Sequence, residues 1–243
     1  LIDIVIVATV TPDHYFPGIS QLLQARLGLE KVMAFDINAA CSGFLYALQL
    51  ADKMIKSGAY HNALIVGAET LTRLTDWSDR NTAVLFADGS GSVVLEAVDG
   101  PGQMLAWDID ADGSAEEALY AELGGFIKMD GKEVFRRAVR IMVDSAQKSM
   151  AIAGVTADQL ALVVPHQANT RIISAACDRL GVSMEKTSIV LHETGNTSSA
   201  SIPLALFDAA DKGRLDNGDL VLLVGFGAGM TAASAILRWQ GQR

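Results

Sequence analysis

Asp36-Ile37-Asn38-Ala39-Ala40-Cys41-Ser42-Gly43-Phe44 joins a strand-like run, Val32–Asp36, to a helix-like run, Ser42–Lys56. A cysteine at a helix start faces unpaired backbone N–H groups and the positive end of the helix dipole. Both favour a thiolate, the nucleophilic form of the side chain. The helix sets Phe44, Leu45, Leu48, Ala51 and Ile55 on one face and ends at Gly58. Upstream, Ile2–Ala8 reads as a strand and Ile19–Leu27 as a helix closed by Gly28. Downstream, Ala63–Gly67 reads as a strand, and Ala83–Phe86 with Ser92–Glu96 as a hairpin around Asp88-Gly89.

The second half follows the same order. Leu160–Pro165 is a strand, Arg171–Leu180 a helix closed by Gly181, Ser188–Leu191 a strand, Ser199–Asp211 a helix and Leu220–Gly225 a strand. A shift of 158 residues, without a gap, lays Cys41–Gly67 on Ser199–Gly225, so that Phe44 meets Ile202, Ala47 meets Ala205, Leu48 meets Leu206, Leu64 meets Leu222 and Gly67 meets Gly225. Arg26-Leu27-Gly28 is echoed by Arg179-Leu180-Gly181. The pattern predicts an α/β chain of two duplicated halves, 1–99 and 100–243. A pseudo-dyad between them brings the Cys41 turn to the Asn196–Ser199 turn. His166, following the strand equivalent to Ile2–Ala8, reaches the same cleft. The helix around Glu133–Ala153, starting near Asp130-Gly131, has no duplicate, and Gly113–Gly125 fits neither strand nor helix.

Composition narrows the function. Half of the 243 residues are hydrophobic and only 19% are charged, which suits a large core and an oligomer. A net charge of −9 argues against general nucleic-acid binding. Two cysteines, Cys41 and Cys177, cannot build a disulfide framework and fit a reducing, cytoplasmic setting. Neither a metal-spaced Cys/His cluster nor an apolar run of membrane-spanning length is present. No signal peptide is visible, and Leu1–Val7 begins inside a buried-type strand, so the natural chain is expected to start earlier.

Val164-Pro165-His166-Gln167-Ala168-Asn169 and Thr194-Gly195-Asn196-Thr197 supply a histidine and an asparagine on turns. With Cys41 they are the parts for covalent thioester chemistry. Cys177 shares an apolar helix face with Ile173 and Leu180 and reads as packing. His14, His61 and His192 read as surface residues, and Asn196 on its own could serve only its turn. Gly225-Phe226-Gly227-Ala228-Gly229 lacks the spacing of a dinucleotide fingerprint, so its glycines read as close backbone approach to the site. A Cys-His-Asn hydrolase and a non-catalytic acyl-binding module use some of the same parts; the duplicated halves and the absence of a papain-type cysteine pattern weigh against the hydrolase.

The motifs Ala34–Phe44, Val164–Asn169, Gly195-Asn196-Thr197-Ser198-Ser199-Ala200-Ser201-Ile202-Pro203 and Gly225–Gly229 together resemble β-ketoacyl-acyl-carrier-protein synthase III, the initiating condensing enzyme of type II fatty-acid synthesis, over nearly the whole chain. The resemblance implies a thiolase-like five-layered αβαβα sandwich, usually a homodimer. It implies catalytic Cys41, His166 and Asn196, with backbone N–H groups of Cys41 and Gly229 as the oxyanion hole. Arg80, Gly131, Phe135 and Asn169 are implied to line the coenzyme A and pantetheine tunnel. Arg136 and Arg171 are implied to contact the acidic carrier, beside Lys132, Arg137 and Arg140. Substrates would be an acyl-CoA and malonyl-acyl-carrier protein; neither a metal nor a further cofactor is implied, because decarboxylation drives carbanion formation. Asn at position 196 separates this family and its relatives, the type III polyketide synthases and hydroxymethylglutaryl-CoA synthase, from condensing enzymes with a second His there. The chain departs from the family in lacking its N-terminal segment, which supplies part of the coenzyme A clamp, and in a shorter region before Leu123-Gly124-Gly125.

Overall fold

The computed structural model describes residues 2–241. Its elements run β1 (Ile4–Ala8), α1 (Ile19–Arg26), β2 (Met33–Ile37), α2 (Gly43–Lys56), β3 (Asn62–Thr70), β4 (Asp88–Glu96), β5 (Met104–Ala111), β6 (Leu119–Ala121), β7 (Ile127–Met129), α3 (Gly131–Ala153), β8 (Leu162–Pro165), α4 (Thr170–Leu180), α5 (Leu191–Thr194), α6 (Ser201–Asp211), β9 (Leu220–Gly227) and β10 (Thr231–Arg238). They form two four-stranded sheets, ordered β2-β1-β3-β4 and β5-β10-β9-β8, and a small β6-β7 ribbon. In each large sheet the last strand in chain order, β4 or β10, runs antiparallel to the one before it.

Strand alternation builds the layers. Ile4, Ile6 and Ala8 turn into a core shared with Phe44, Leu45, Leu48, Ile202, Leu206, Val221 and Leu223. Val5 and Val7 face the opposite way, against Ile19 and Leu23 of α1. On β9, Leu222 and Val224 face outward from the central core onto Val139, Met142 and Ile172 of α3 and α4. The result is α1, a sheet, the α2/α6 pair, a second sheet and the α3/α4 pair: the five-layered, thiolase-like sandwich. Full burial of side chains such as Phe44, Ile6, Ile202 and Leu223 contributes about 1.5–3 kcal/mol each.

The duplication holds residue for residue at the centre. Short 3₁₀ turns, Ala40–Ser42 and Ser198–Ala200, precede α2 and α6 and stand 158 positions apart. Each opens on a non-glycine residue with positive φ, Ala40 at 49° and Ser198 at 48°. Left-handed backbone is unfavourable for such residues and persists where surrounding contacts fix it. Here the two turns pack on each other. Gly67, within strand β3 of the first half, lies so close to the second turn that a Cβ would stand 2.4 Å from Ser199 O. Gly227, in the second half, lies so close to the first turn that a Cβ would stand 2.8 Å from Cys41 N.

Several expectations are corrected. The Ala83–Phe86/Ser92–Glu96 hairpin does not form: Asp88–Glu96 is one strand paired along β3, and Gly89 and Gly91 give room to Thr197, Pro203 and Leu204 rather than making a turn. Ser188–Leu191 is not a strand; pairing at that edge shrinks to one Val163–Thr187 bridge. The Gln167 side chain takes the backbone groups a neighbouring strand would take, donating to Ser188 O and accepting from Val190 N and Leu191 N. Gly113–Gly125 holds a 3₁₀ segment, then strand β6 and a turn into β7. The strands β5 and β10 carry no clear signal in the sequence, since Ala232-Ala233-Ser234-Ala235 has little β preference; pairing on both sides imposes the strand on β10.

Candidate active site

Cys41 is the middle residue of the first 3₁₀ turn, 8% exposed at the foot of the central helix layer. Three neighbours hold the turn. Thr231 Oγ1 donates to Ala39 O at 3.0 Å, Gly227 abuts the Cys41 amide, and the second turn packs across it. Ser199, the duplicate of Cys41, ties the halves together, its hydroxyl lying 2.8 Å from both Ala8 O and Glu69 Oε1, which share its one hydrogen. Glu69 Oε2 also accepts from Thr11 Oγ1 and Val10 N at 2.9 and 3.0 Å. A buried carboxylate with this many donors is a rigid joint rather than a free base.

The expected stabilised thiolate is not what the structure shows. Burial pushes the Cys41 thiol up to about 12; the Ser198 hydroxyl beside it pulls down, and the negative charge of Glu69 adds to the rise. Helix α2 begins only at Gly43, so Cys41 sits in the lead-in turn, where desolvation outweighs the helix-start N–H groups. Cys41 at rest is therefore a thiol.

His166 leaves the end of β8, its backbone N–H donating to Val224 O at 2.8 Å. The ring is 1% exposed and meets Phe226 edge-on, with centroids 5.5 Å apart. Burial lowers its pKa to about 3, so the imidazole is neutral across the working range. Nδ1 stands 2.6 Å from Ser201 Oγ, and Nε2 has no partner among the described residues. Asn196 is held through its backbone, accepting from Ala87 N at 2.9 Å and donating to Leu85 O at 3.0 Å. Its Oδ1 accepts from Ser198 N at 3.0 Å, which fixes the amide and leaves the Nδ2 hydrogens without a protein acceptor among the described residues. The β9 segment Gly225-Phe226-Gly227 joins these parts, since Gly225 and Phe226 touch His166 and Gly227 touches the Cys41 turn. Sequence reasoning placed Cys41, His166 and Asn196 in one cleft, and the structure sets them on mutually packed turns and strand ends.

The outer residues are more dispersed. Gly229, φ 125°, lies in the β9–β10 turn, two residues before Thr231, whose hydroxyl bonds Ala39 O. Asn169 is the N-cap of α4, accepting from Arg171 N at 2.9 Å, and Arg171 is exposed on the first turn. Gly131 opens α3 after the Asp130 cap, and Phe135 is 37% exposed one turn on. Arg80 is exposed in the loop before β4. Arg136 is clamped by two bonds to Glu133 at 2.7 and 3.0 Å, while Arg137 also holds Glu133 and reaches Asp112. His14, His61 and His192 are exposed, and Cys177 is buried against Thr187. Sequence reasoning missed Ser198 as a neighbour of Cys41, and Ser201 and Phe226 as neighbours of His166, although all three lie inside motifs it quoted; these contacts depend on side-chain direction, which spacing does not carry.

Residues 35–113 match the family model for 3-oxoacyl-[acyl-carrier-protein] synthase III, and residues 150–239 match the model for its C-terminal part. The chain is 45% identical to a β-ketoacyl-[acyl-carrier-protein] synthase III of Aquifex aeolicus, over 98% of this chain and 77% of that one. The crystal structure of the 3-oxoacyl-[acyl-carrier-protein] synthase III from that organism superposes with a TM-score of 0.96, over 98% of this chain and 77% of that one at 45% identity. The priming β-ketosynthase of the R1128 polyketide pathway is 36% identical, with a TM-score of 0.94 over 100% of this chain and 76% of that one.

Proposed function

Because the chain belongs to the β-ketoacyl-[acyl-carrier-protein] synthase III family, and is thus a condensing acyltransferase that initiates fatty-acid synthesis, we propose that it joins an acyl-CoA to malonyl-acyl-carrier protein through an acyl-Cys41 intermediate. The observation that supports the division of labour is that His166 Nε2 and Asn196 Nδ2 have no partner among the described residues, while the turn that carries the buried Cys41 thiol packs on the Ser198–Ala200 turn that Asn196 Oδ1 holds.

Cys41 attacks the thioester carbonyl of the acyl-CoA; its proton leaves with the coenzyme A thiolate, so attack and proton transfer convert one neutral thiol into another. Backbone N–H groups of Cys41 and Gly229 hold the tetrahedral oxyanion. Malonyl-carrier then takes the vacated tunnel and loses CO₂, and the electron pair of the broken bond becomes an enolate. A neutral imidazole N–H and an amide NH₂ stabilise the enolate oxygen by donating to it without protonating it outright. The enolate carbon attacks the acyl carbonyl, and collapse expels the Cys41 thiolate, which regains a proton from solvent. Decarboxylation supplies the driving force, so the scheme needs no metal or further cofactor.

Arg80, Gly131, Phe135 and Asn169 are proposed for the tunnel, and Arg136 and Arg171 for the acidic carrier. Exposed Arg171 follows His166 by one short cap, which suits a contact at the tunnel mouth. Arg136 must loosen its Glu133 clamp to serve. Strand β2 is an edge strand with Met33 exposed, which suits pairing with a second copy in a homodimer. No helix among the described residues is long and apolar enough to cross a membrane. A cytoplasmic setting is proposed from the two buried free thiols.

Incubation with radiolabelled acetyl-CoA and malonyl-carrier tests the reading. Label on Cys41, CO₂ release and a 3-ketoacyl-carrier product support it; labelling followed only by hydrolysis overturns it. The likeness to a priming ketosynthase favours a second reading, the same chemistry starting a polyketide chain, which the preferred acyl group would reveal.

A further inference from the structure

We propose that Ser201 is a positioning residue that fixes His166 as its Nε2–H tautomer, and so decides that the imidazole donates into the cleft. The proposal deepens the condensation reading and rests on it for its catalytic consequence; the tautomer itself is independent of that reading.

The argument is a count of hydrogens. Ser201 Oγ lies 2.6 Å from His166 Nδ1 and receives the Gln167 backbone N–H at 3.3 Å. An N–H can only donate, so the oxygen already serves as an acceptor there. Its single hydroxyl hydrogen has one acceptor within reach among the described residues, His166 Nδ1. Donation to Nδ1 uses every group once and places the ring proton on Nε2. The reverse tautomer makes Ser201 accept two N–H groups and strands its own hydrogen in a position with 0% exposure. Phe226, edge-on to the ring, and the His166 backbone bond to Val224 hold the imidazole in this plane and position. Gln167 is itself immobilised, its side chain bonded to Pro165 O, Ser188 O, Val190 N and Leu191 N.

The duplication singles out the same position. Ser201 corresponds to Gly43 under the 158-residue shift. Gly43 has no room for a hydroxyl, because a Cβ there would stand 3.1 Å from Ala8 Cβ. Both residues open the helix that follows their turn. The two halves thus differ at this point: the copy facing Cys41's own helix is bare, and the copy facing His166 carries the hydrogen that sets the ring.

Long-range ¹H–¹⁵N spectra of histidine-labelled protein test this directly, since the chain has only four histidines and His14, His61 and His192 are exposed. The wild type should show His166 with Nδ1 bare and Nε2 protonated. Ser201→Ala should shift the ring toward a mixture or the other tautomer, and Ser201→Thr should restore the wild-type pattern. In the same samples Ser201→Ala should slow decarboxylation of malonyl-carrier by about tenfold or more, with acylation of Cys41 within about twofold, and Ser201→Thr should recover much of the loss. A wild-type His166 protonated on Nδ1, or an unchanged tautomer in folded Ser201→Ala, overturns the proposal. If Ser201→Ala does not fold, the wild-type and Ser201→Thr spectra still decide it. If the tautomer behaves as stated but no condensation occurs, the proposal stands and the functional reading fails.

Discussion

A buried neutral imidazole has a consequence for stability that does not depend on substrate. His166 resists protonation in the fold down to about 3, whereas the unfolded chain takes up that proton near the ordinary histidine value of 6.5. The unfolded state therefore binds more protons between these limits. The His166 contribution is fully present above pH 6.5 and is lost as pH falls toward 3, at up to about 1.4 kcal/mol per pH unit. Denaturant melts of the wild type and His166→Asn between pH 7 and 4 should converge as pH falls, with the variant losing less stability; parallel curves would contradict a buried neutral histidine. Cys41 behaves oppositely. Its folded value of about 12 lies above the ordinary thiol value of 9.0, so its contribution is present below pH 9 and is lost as pH rises beyond it. The sequence singled out Cys41, His166 and Asn196 as the candidates, because they sit in distinctive motifs. It misjudged the charge of Cys41, because depth of burial is a tertiary property that a helix-start pattern does not contain.

Turns and strand ends are the scale at which the site is built. Gly67 and Gly227 let strands β3 and β9 reach the opposite half's turn, and no side chain fits there. Gly67→Ala should destabilise the fold by about 1–3 kcal/mol through backbone displacement at Ser199. Gly227→Ala should disturb Cys41 directly and lower acylation more than it lowers the melting temperature. Gly113→Ala, which meets nothing within 4 Å, is the control and should be neutral. Thermal melts with an acylation assay on the three variants check the set; a neutral Gly67→Ala would contradict the close approach. Helices α2, α3, α4 and α6 were legible because apolar spacing, the start at Asp130-Gly131 and the stop at Gly181 are local signals. The false hairpin at Asp88-Gly89 arose because a glycine needed for packing against Thr197 looks, in sequence, like a glycine needed for a turn.

For the whole molecule, the 158-residue repeat was the most informative long-range signal, since it predicted which turns would meet before any contact was known. It failed at the edges of the sheets: it called for a strand at Ser188–Leu191 where β2 has only a bridge as its counterpart, and it gave no sign of β5. Edge pairing depends on what lies alongside, which periodicity within a strand does not record. Carrier docking also belongs to this scale. The chain is acidic overall, at −9, so a local cationic surface must overcome general repulsion of an acidic partner. Arg171→Glu should weaken malonyl-carrier use by about tenfold or more, mainly in KM, and leave acylation by acetyl-CoA unchanged; an equal loss with both substrates would remove Arg171 from the docking surface.

The division of the cleft into an acyl-holding thiol and a pair of enolate donors is tested most directly by Asn196→Asp, with Cys41 acylation followed by intact mass and decarboxylation by labelled CO₂ release on the same preparation. The account predicts near-normal acylation with decarboxylation reduced by about 10²–10³-fold, the scale of a lost oxyanion-type donor. Equal losses in the two half-reactions would contradict it.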